Sequence, residues 1–142
     1  MSHWQKYHAR WAQIQPPLRP NEDVVEHLLQ LAKPTCNIVL LGVTPEIADA
    51  YGRVTAIDKN PAMIANVWPG NNAGKRAIED DWLHVNLPHD SFDAVIGDGS
   101  LNNVACPGEI SALLQRAMKW LVPGGVFACR LFERPDREIM TH

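Results

Sequence analysis

Hydrophobic positions along the chain follow two periodicities in alternation. Short apolar runs, rich in β-branched residues, are typical of strands buried in a parallel sheet. They occupy residues 38–41, 54–57, 76–79, 92–96 and 126–131, the third being the weakest. Apolar residues at helical spacing fill residues 24–32 and 110–121. Because strands alternate with helices, the pattern predicts an α/β fold with a mainly parallel sheet and helices on both faces.

Capping residues mark the expected helix starts. Thr44 and Asn60 each precede a proline, and proline at the first helical position costs nothing because its missing N–H would be unpaired there. Asn21 precedes two acidic residues and is interpreted as a third cap. We therefore divide the chain into an N-terminal segment, residues 1–20, and one domain, residues 21–142. The aromatic residues Trp4, Tyr7 and Trp11 of the first segment form either a lid helix or ordinary packing against the sheet.

Composition narrows the class of protein. The 142 residues carry a formal net charge of −3, which argues against general nucleic-acid binding. The three cysteines are widely separated and the six histidines show no ligand spacing, so we expect no metal site and a reduced, cytoplasmic protein. No apolar run is long enough to predict a membrane span.

Four residues follow predicted strands and should meet at one edge of the sheet: Gly42, Asp58, Asp81 and Asp98. Ligands of such sheets bind beyond the carboxyl ends of the strands, where the strand order reverses. Asp58 comes 16 residues after Gly42, and a carboxylate there can accept both hydroxyls of a ribose. The alternative is an aspartate that only caps a helix or faces solvent.

Five motifs in order carry a family resemblance: "VLLG", "VTAIDKNPAMI", "EDDWL", "SFDAVIGDGSLNNV" and "LLQRAMKWLVPGGVFACRLF". Over about residues 22–132 the chain resembles a class I S-adenosylmethionine-dependent methyltransferase of a divergent bacterial branch. The resemblance implies a three-layer Rossmann-like fold with strand order 3-2-1-4-5. It also implies S-adenosylmethionine as cofactor, S-adenosylhomocysteine as product and an unknown, small methyl acceptor.

The same resemblance assigns the cofactor-binding residues. Gly42 and Thr44 would pass beneath the methionine part of the cofactor, and Asp58 would hold the ribose hydroxyls. Met63 would pack on the adenine, and Asp81, with the Trp82 backbone beside it, would accept from the adenine amino group.

Two further residues are assigned with an alternative each. Asp98 would face the methyl group and is the candidate catalytic residue, or it only fixes the "DGS" turn. Arg19 would meet the cofactor carboxylate, or it forms a surface ion pair.

The sequence also departs from the family pattern. Leu40 stands where the family has an acid, and Thr44 and Glu46 replace glycines. Glu46 either supplies the lost carboxylate or only favours the helix N-terminus by its charge. The chain ends about ten residues after the fifth strand, so we expect the last two strands to be missing. A homodimer would then cover the exposed edge of the fifth strand.

These departures leave three functional hypotheses. The first is a methyltransferase, and the second is a catalytically degenerate binding or interaction module on the same fold. The third, a nicotinamide-dependent oxidoreductase, is disfavoured because the chain lacks GxGxxG.

Overall fold

The computed structural model describes residues 22–98 and 107–130. Within these ranges the chain forms four helices and five strands, which alternate except that the fourth strand follows the third with no helix between them. In chain order the elements are α1 Glu22–Leu31, β1 Asn37–Leu41, α2 Pro45–Ala50, β2 Arg53–Asp58, α3 Pro61–Val67, β3 Lys75–Glu79, β4 Phe92–Asp98, α4 Pro107–Trp120 and β5 Leu121–Arg130. Each predicted strand is present.

The five strands form one parallel sheet in the order β3-β2-β1-β4-β5. β1 is central, since Leu41 lies opposite Ile57 of β2 on one side and Gly97 of β4 on the other. The chain moves outward from β1 to β3 and then crosses back to β4, so the strand order reverses between β1 and β4. The predicted three-layer α/β fold and its strand order are confirmed.

The expectation that the last two strands of the fold are missing is wrong. The described residues form one continuous sheet of five strands, and the last of these strands extends to Arg130. Residues after Arg130 lie outside the described part of the chain, so the sheet gives no reason to regard later strands as absent. β5 is the edge strand next to β4. The homodimer across that edge stays a prediction.

β5 also begins earlier than the apolar run suggested. Leu121 already pairs with Phe92, whereas the regular ladder resumes at Val126 opposite Ala94. The "VPGG" residues between them produce the register shift, and Gly124 has a φ of 82°. The predicted turn is therefore an irregularity inside the strand.

The helix starts follow the predicted pattern with one exception. The Asn60 side chain accepts a hydrogen bond from the Ala62 N–H at 3.0 Å, and Pro61 opens α3. Thr44 occupies the N-cap position before Pro45, but its side chain makes no capping hydrogen bond. The predicted cap Asn21 lies outside the described residues.

Two hydrophobic clusters cover the faces of the sheet. Because strand side chains alternate, Ile38 and Leu40 belong to the cluster beneath α1, α2 and α3, and Val39 and Leu41 belong to the cluster beneath α4. The side chains on both faces of β1, from Ile38 to Leu41, are almost fully buried, so β1 lies at the centre of the described fold.

Tyr51, at the amino end of β2, ties α1 to the sheet. Its buried hydroxyl lies 2.7 Å from the Ala32 carbonyl oxygen and 3.3 Å from that of Leu28. The Ala32 carbonyl lies just beyond α1, where helix-end carbonyls lack an intrahelical N–H, while the Leu28 carbonyl also accepts from the Ala32 N–H at 2.8 Å. Burial, with a smaller contribution from Cys36, raises the pKa of Tyr51 to about 12.

Among the described residues, no helix is long and apolar enough to cross a membrane.

Candidate cofactor site

Gly42 opens the carboxyl edge of the sheet directly after β1. Its φ is 106°, a conformation that strongly favours glycine. Its N–H donates to the Ile57 carbonyl oxygen at 2.8 Å, which extends the ladder between β1 and β2 by one bond. A Cβ added at Gly42 would meet no described atom within 4 Å. The backbone at Gly42 is thus held in place on one side and open on the other.

Asp58 is the last residue of β2 and is half-buried. Its Oδ1 accepts a hydrogen bond from the Asn60 N–H at 2.9 Å. Burial raises the pKa of Asp58, while the Asn60 N–H and the charge of Lys59 act in the opposite direction and to a smaller extent. No described residue donates to Oδ2, so the carboxylate keeps acceptor capacity for a ligand.

Asp81 organises a turn just after β3. Its Oδ1 accepts from the Leu83 N–H at 2.9 Å, and its carbonyl oxygen accepts from the amides of His84 and Val85 at 2.9 and 2.8 Å. The Asp80 N–H donates to the Asp58 carbonyl oxygen at 3.1 Å, which holds this turn beside the end of β2. Asp81 and Asp58 therefore lie on neighbouring segments of the same edge.

Trp82 has a role that the sequence did not reveal. Its indole Nε1–H donates to the Ile57 carbonyl oxygen at 2.7 Å, the same oxygen that accepts from Gly42. One backbone oxygen thus joins the Gly42 loop, the end of β2 and the turn at Asp81. The motif "EDDWL" contained a signal, because a part-buried tryptophan N–H generally finds an acceptor, but nothing in it identified Ile57.

Three predicted residues lie near this edge without an observed ligand-facing role. Thr44 is 7% exposed and Met63 is 6% exposed, the latter within the larger hydrophobic cluster. Glu46 lies in the first turn of α2, and its Oε1 is buried from solvent. Their roles, including both alternatives for Glu46, stay predictions.

Asp98 is the last residue of β4 rather than the first residue after it. Its backbone pairs with Arg130, one position beyond the Gly97 that faces Leu41. Its position at the switch point agrees with the prediction, while its side chain lies outside the described part of the structure. Arg19 and the aromatic N-terminal residues also lie outside the described residues.

The fold and the edge geometry define an α/β domain with a candidate ligand site at the topological switch point. The family model described as "Methyltransferase domain" matches residues 42–129, more than half of the chain. The chain therefore belongs to the methyltransferase domain family, which confirms the resemblance inferred from its motifs. A search of curated proteins found no match.

Solved structures of methyltransferases share the fold. An S-adenosylmethionine-dependent methyltransferase from Mesorhizobium loti is 24% identical with a TM-score of 0.61, the match covering 74% of this chain and 50% of that one. CalS10, an amino pentose methyltransferase from Micromonospora echinaspora, is 20% identical with a TM-score of 0.64, and the coverages are 97% and 55%. The N-methyltransferase NodS from Bradyrhizobium japonicum is 21% identical with a TM-score of 0.59, and the coverages are 74% and 65%. The chain thus spans about half the length of the first of these structures.

Proposed function

We propose that this chain acts as an S-adenosylmethionine-dependent methyltransferase on a small-molecule acceptor. The observation that carries the proposal is the family match over residues 42–129, which includes Gly42, Asp58 and the turn at Asp81 and Trp82. These residues lie together at the carboxyl edge of the sheet, where ligands of parallel α/β folds bind.

The residues present fit the adenosyl part of this cofactor. Asp58 offers a carboxylate acceptor at the end of β2, suited to the two hydroxyls of a ribose. Gly42 leaves its backbone open on the side where a Cβ would stand. The single glycine is sufficient in our proposal because S-adenosylmethionine has no diphosphate that must pack against the loop. NAD, which has one, should bind poorly.

When bound, S-adenosylmethionine supplies a methyl group already activated by its sulfonium. The chain then has to orient the ligand and exclude water, because displacement at that carbon depends mainly on alignment. A general base is required only when the acceptor is protonated. We propose Asp98 for that role because its backbone lies at the switch point next to β1.

The acceptor class is proposed by analogy with two of these neighbours. CalS10 is an amino pentose methyltransferase whose structure was solved with S-adenosylmethionine bound, and NodS is an N-methyltransferase. These neighbours support a small molecule with a nucleophilic nitrogen as the first acceptor to try. Nothing in the described residues favours the catalytically degenerate alternative.

Calorimetric titration tests the cofactor proposal. The chain should bind S-adenosylmethionine and S-adenosylhomocysteine with micromolar affinity and NAD much more weakly. A folded chain that prefers NAD, or that binds none of the three, would overturn the proposal. Release of S-adenosylhomocysteine in the presence of amino sugars or other small amines would then test the acceptor class.

A further inference from the structure

Arg116 connects α4 to the turn that follows β3. It is half-buried, and its Nε donates to the Trp82 carbonyl oxygen at 3.1 Å. Its Nη2 donates to the Val85 carbonyl oxygen. The guanidinium carbon also lies 5.8 Å from the centroid of the Trp120 ring, a distance suited to a cation–π contact. One side chain thus holds both ends of a short turn against a long helix.

The turn held in this way is the one that carries Asp81. Its internal hydrogen bonds, from Leu83, His84 and Val85 to Asp81, fix its local shape. Its position relative to the sheet depends on other contacts, among them the Trp82 indole on Ile57 and the Arg116 guanidinium. Arg116 therefore acts on placement rather than on the local conformation of the turn.

Because Ile57 also accepts from Gly42, the contacts run without interruption from α4 to the Gly42 loop. The order is Arg116, the Trp82 carbonyl, the Trp82 indole, Ile57 and Gly42. Every step is a hydrogen bond or a covalent connection within one residue. A change at Arg116 can thus displace the groups that face an adenosyl ligand, although no contact of Arg116 lies with Gly42 or Asp58 themselves.

We propose that Arg116 is a positioning residue for the adenosyl site, acting through the turn at residues 81–85. The inference rests on the proposed function. Arginine suits the role because its planar group carries several donors in a fixed geometry and reaches two carbonyls at once. A lysine at this position offers a single donor group, so it can restore only part of the restraint.

The competing explanation is that Arg116 contributes to stability alone by fastening α4 to the loop. The two explanations differ in what the ligand senses. A positioning role predicts weaker binding in a folded variant together with loosening confined to the turn. A purely structural role predicts loosening across the whole sheet, with the affinity of the folded fraction unchanged.

The test compares Arg116→Met, Arg116→Lys and Lys119→Met. Lys119 is the matched control because it is exposed on the same helix and lines, with Arg116 and Trp120, one pocket beside Val85. Its replacement by methionine removes the same charge. Amide hydrogen exchange of the ligand-free chains reports on residues 80–87, and calorimetry reports on S-adenosylmethionine and S-adenosylhomocysteine. The first readout needs no cofactor.

We expect Arg116→Met to bind both ligands about tenfold more weakly, because the free energy lost should be comparable to that of roughly one charge-assisted hydrogen bond. Exchange should accelerate in residues 80–87 and stay unchanged in β1 and β4. Arg116→Lys should recover part of the affinity, and Lys119→Met should match the unaltered chain.

Three results would overturn the inference. The first is an Arg116→Met chain whose turn is loosened but which binds normally. The second is unchanged exchange in residues 80–87, and the third is faster exchange throughout the chain with normal binding by the folded fraction. Failure of the unaltered chain to bind either ligand is a different result, because it removes the proposed function itself before any variant is compared.

Discussion

The two edges of the sheet use the same residue types in opposite ways. At the amino edge, a Cβ added at Gly74 would collide with the Gly52 carbonyl oxygen, whereas one added at Gly42 on the carboxyl edge would meet no described atom within 4 Å. Asp93 and Asp58 each accept one backbone N–H, from Asn37 at 2.8 Å and from Asn60 at 2.9 Å. The amino edge is closed by the chain's own groups, while the carboxyl edge keeps space and an acceptor for something else.

The strongest test of this difference replaces each of the two aspartates by alanine in a separate variant. Asp58→Ala should weaken S-adenosylmethionine binding about tenfold to a hundredfold, because a charge-assisted hydrogen bond contributes roughly 1.5–3 kcal/mol. Asp93→Ala should leave the affinity unchanged, since Asp93 contacts the start of β1 at the opposite edge. Calorimetry on the two folded variants decides. Equal affinity in Asp58→Ala and the unaltered chain would remove Asp58 from the site.

The two glycines give the next largest effect and separate stability from binding. Gly74→Ala forces a backbone collision and should cost about 1–3 kcal/mol of unfolding free energy, with ligand affinity retained. Gly42→Ala suffers from its φ of 106° instead, at about 1–2 kcal/mol, and its methyl group would enter the open space, so its affinity should fall as well. Urea unfolding and calorimetry measure the two quantities.

The comparison fails if the variants behave alike. A Gly42→Ala chain that binds with full affinity would mean that no ligand approaches the backbone at this position. A Gly74→Ala chain with weakened binding, once its folded fraction is accounted for, would mean that the amino edge also shapes the site.

The sequence predicted the sheet because β-branched runs, caps and prolines act locally. Asn60 and Pro61, for example, start α3 through contacts within two residues. It could not predict Trp82 on Ile57, or Arg116 on Trp82, because those contacts join residues 25 and 34 positions apart and depend on how the segments pack. The early start of β5 was missed for a related reason, since Leu121 pairs with β4 before an irregularity that only the register reveals.

A smaller effect is expected at Tyr51, which helps to close the amino edge. Tyr51→Phe removes the hydrogen bond to the Ala32 carbonyl oxygen and should cost about 1 kcal/mol near neutral pH. The pKa of Tyr51 is raised from 10.0 to about 12, so the folded state favours the neutral phenol. The tyrosine's contribution is therefore complete below pH 10.0 and is lost as the pH rises towards 12.

Urea unfolding of both chains at several pH values measures this contribution. The stability difference between the unaltered chain and Tyr51→Phe should shrink between pH 10 and pH 12, while ligand affinity at neutral pH stays the same in both. A difference that is constant up to pH 12 would contradict the burial of the hydroxyl.

The smallest structural change is Asp58→Asn, which keeps one oxygen acceptor for the Asn60 N–H, removes the charge and replaces the other carboxylate oxygen with an NH2 donor. The pKa of Asp58 is raised above 3.8 by burial, so the folded state binds this proton more tightly than the unfolded state does. The unaltered chain therefore loses stability as the pH rises from 3.8 through the raised pKa. At neutral pH the ligand-free Asp58→Asn chain should be slightly more stable than the unaltered chain, and it should still bind S-adenosylmethionine more weakly. On one preparation, thermal unfolding tests the expected gain in stability and calorimetry tests the expected loss of affinity. A loss in both quantities would indicate a structural carboxylate, whereas a gain in stability with a loss in affinity marks a charge that is retained for a ligand.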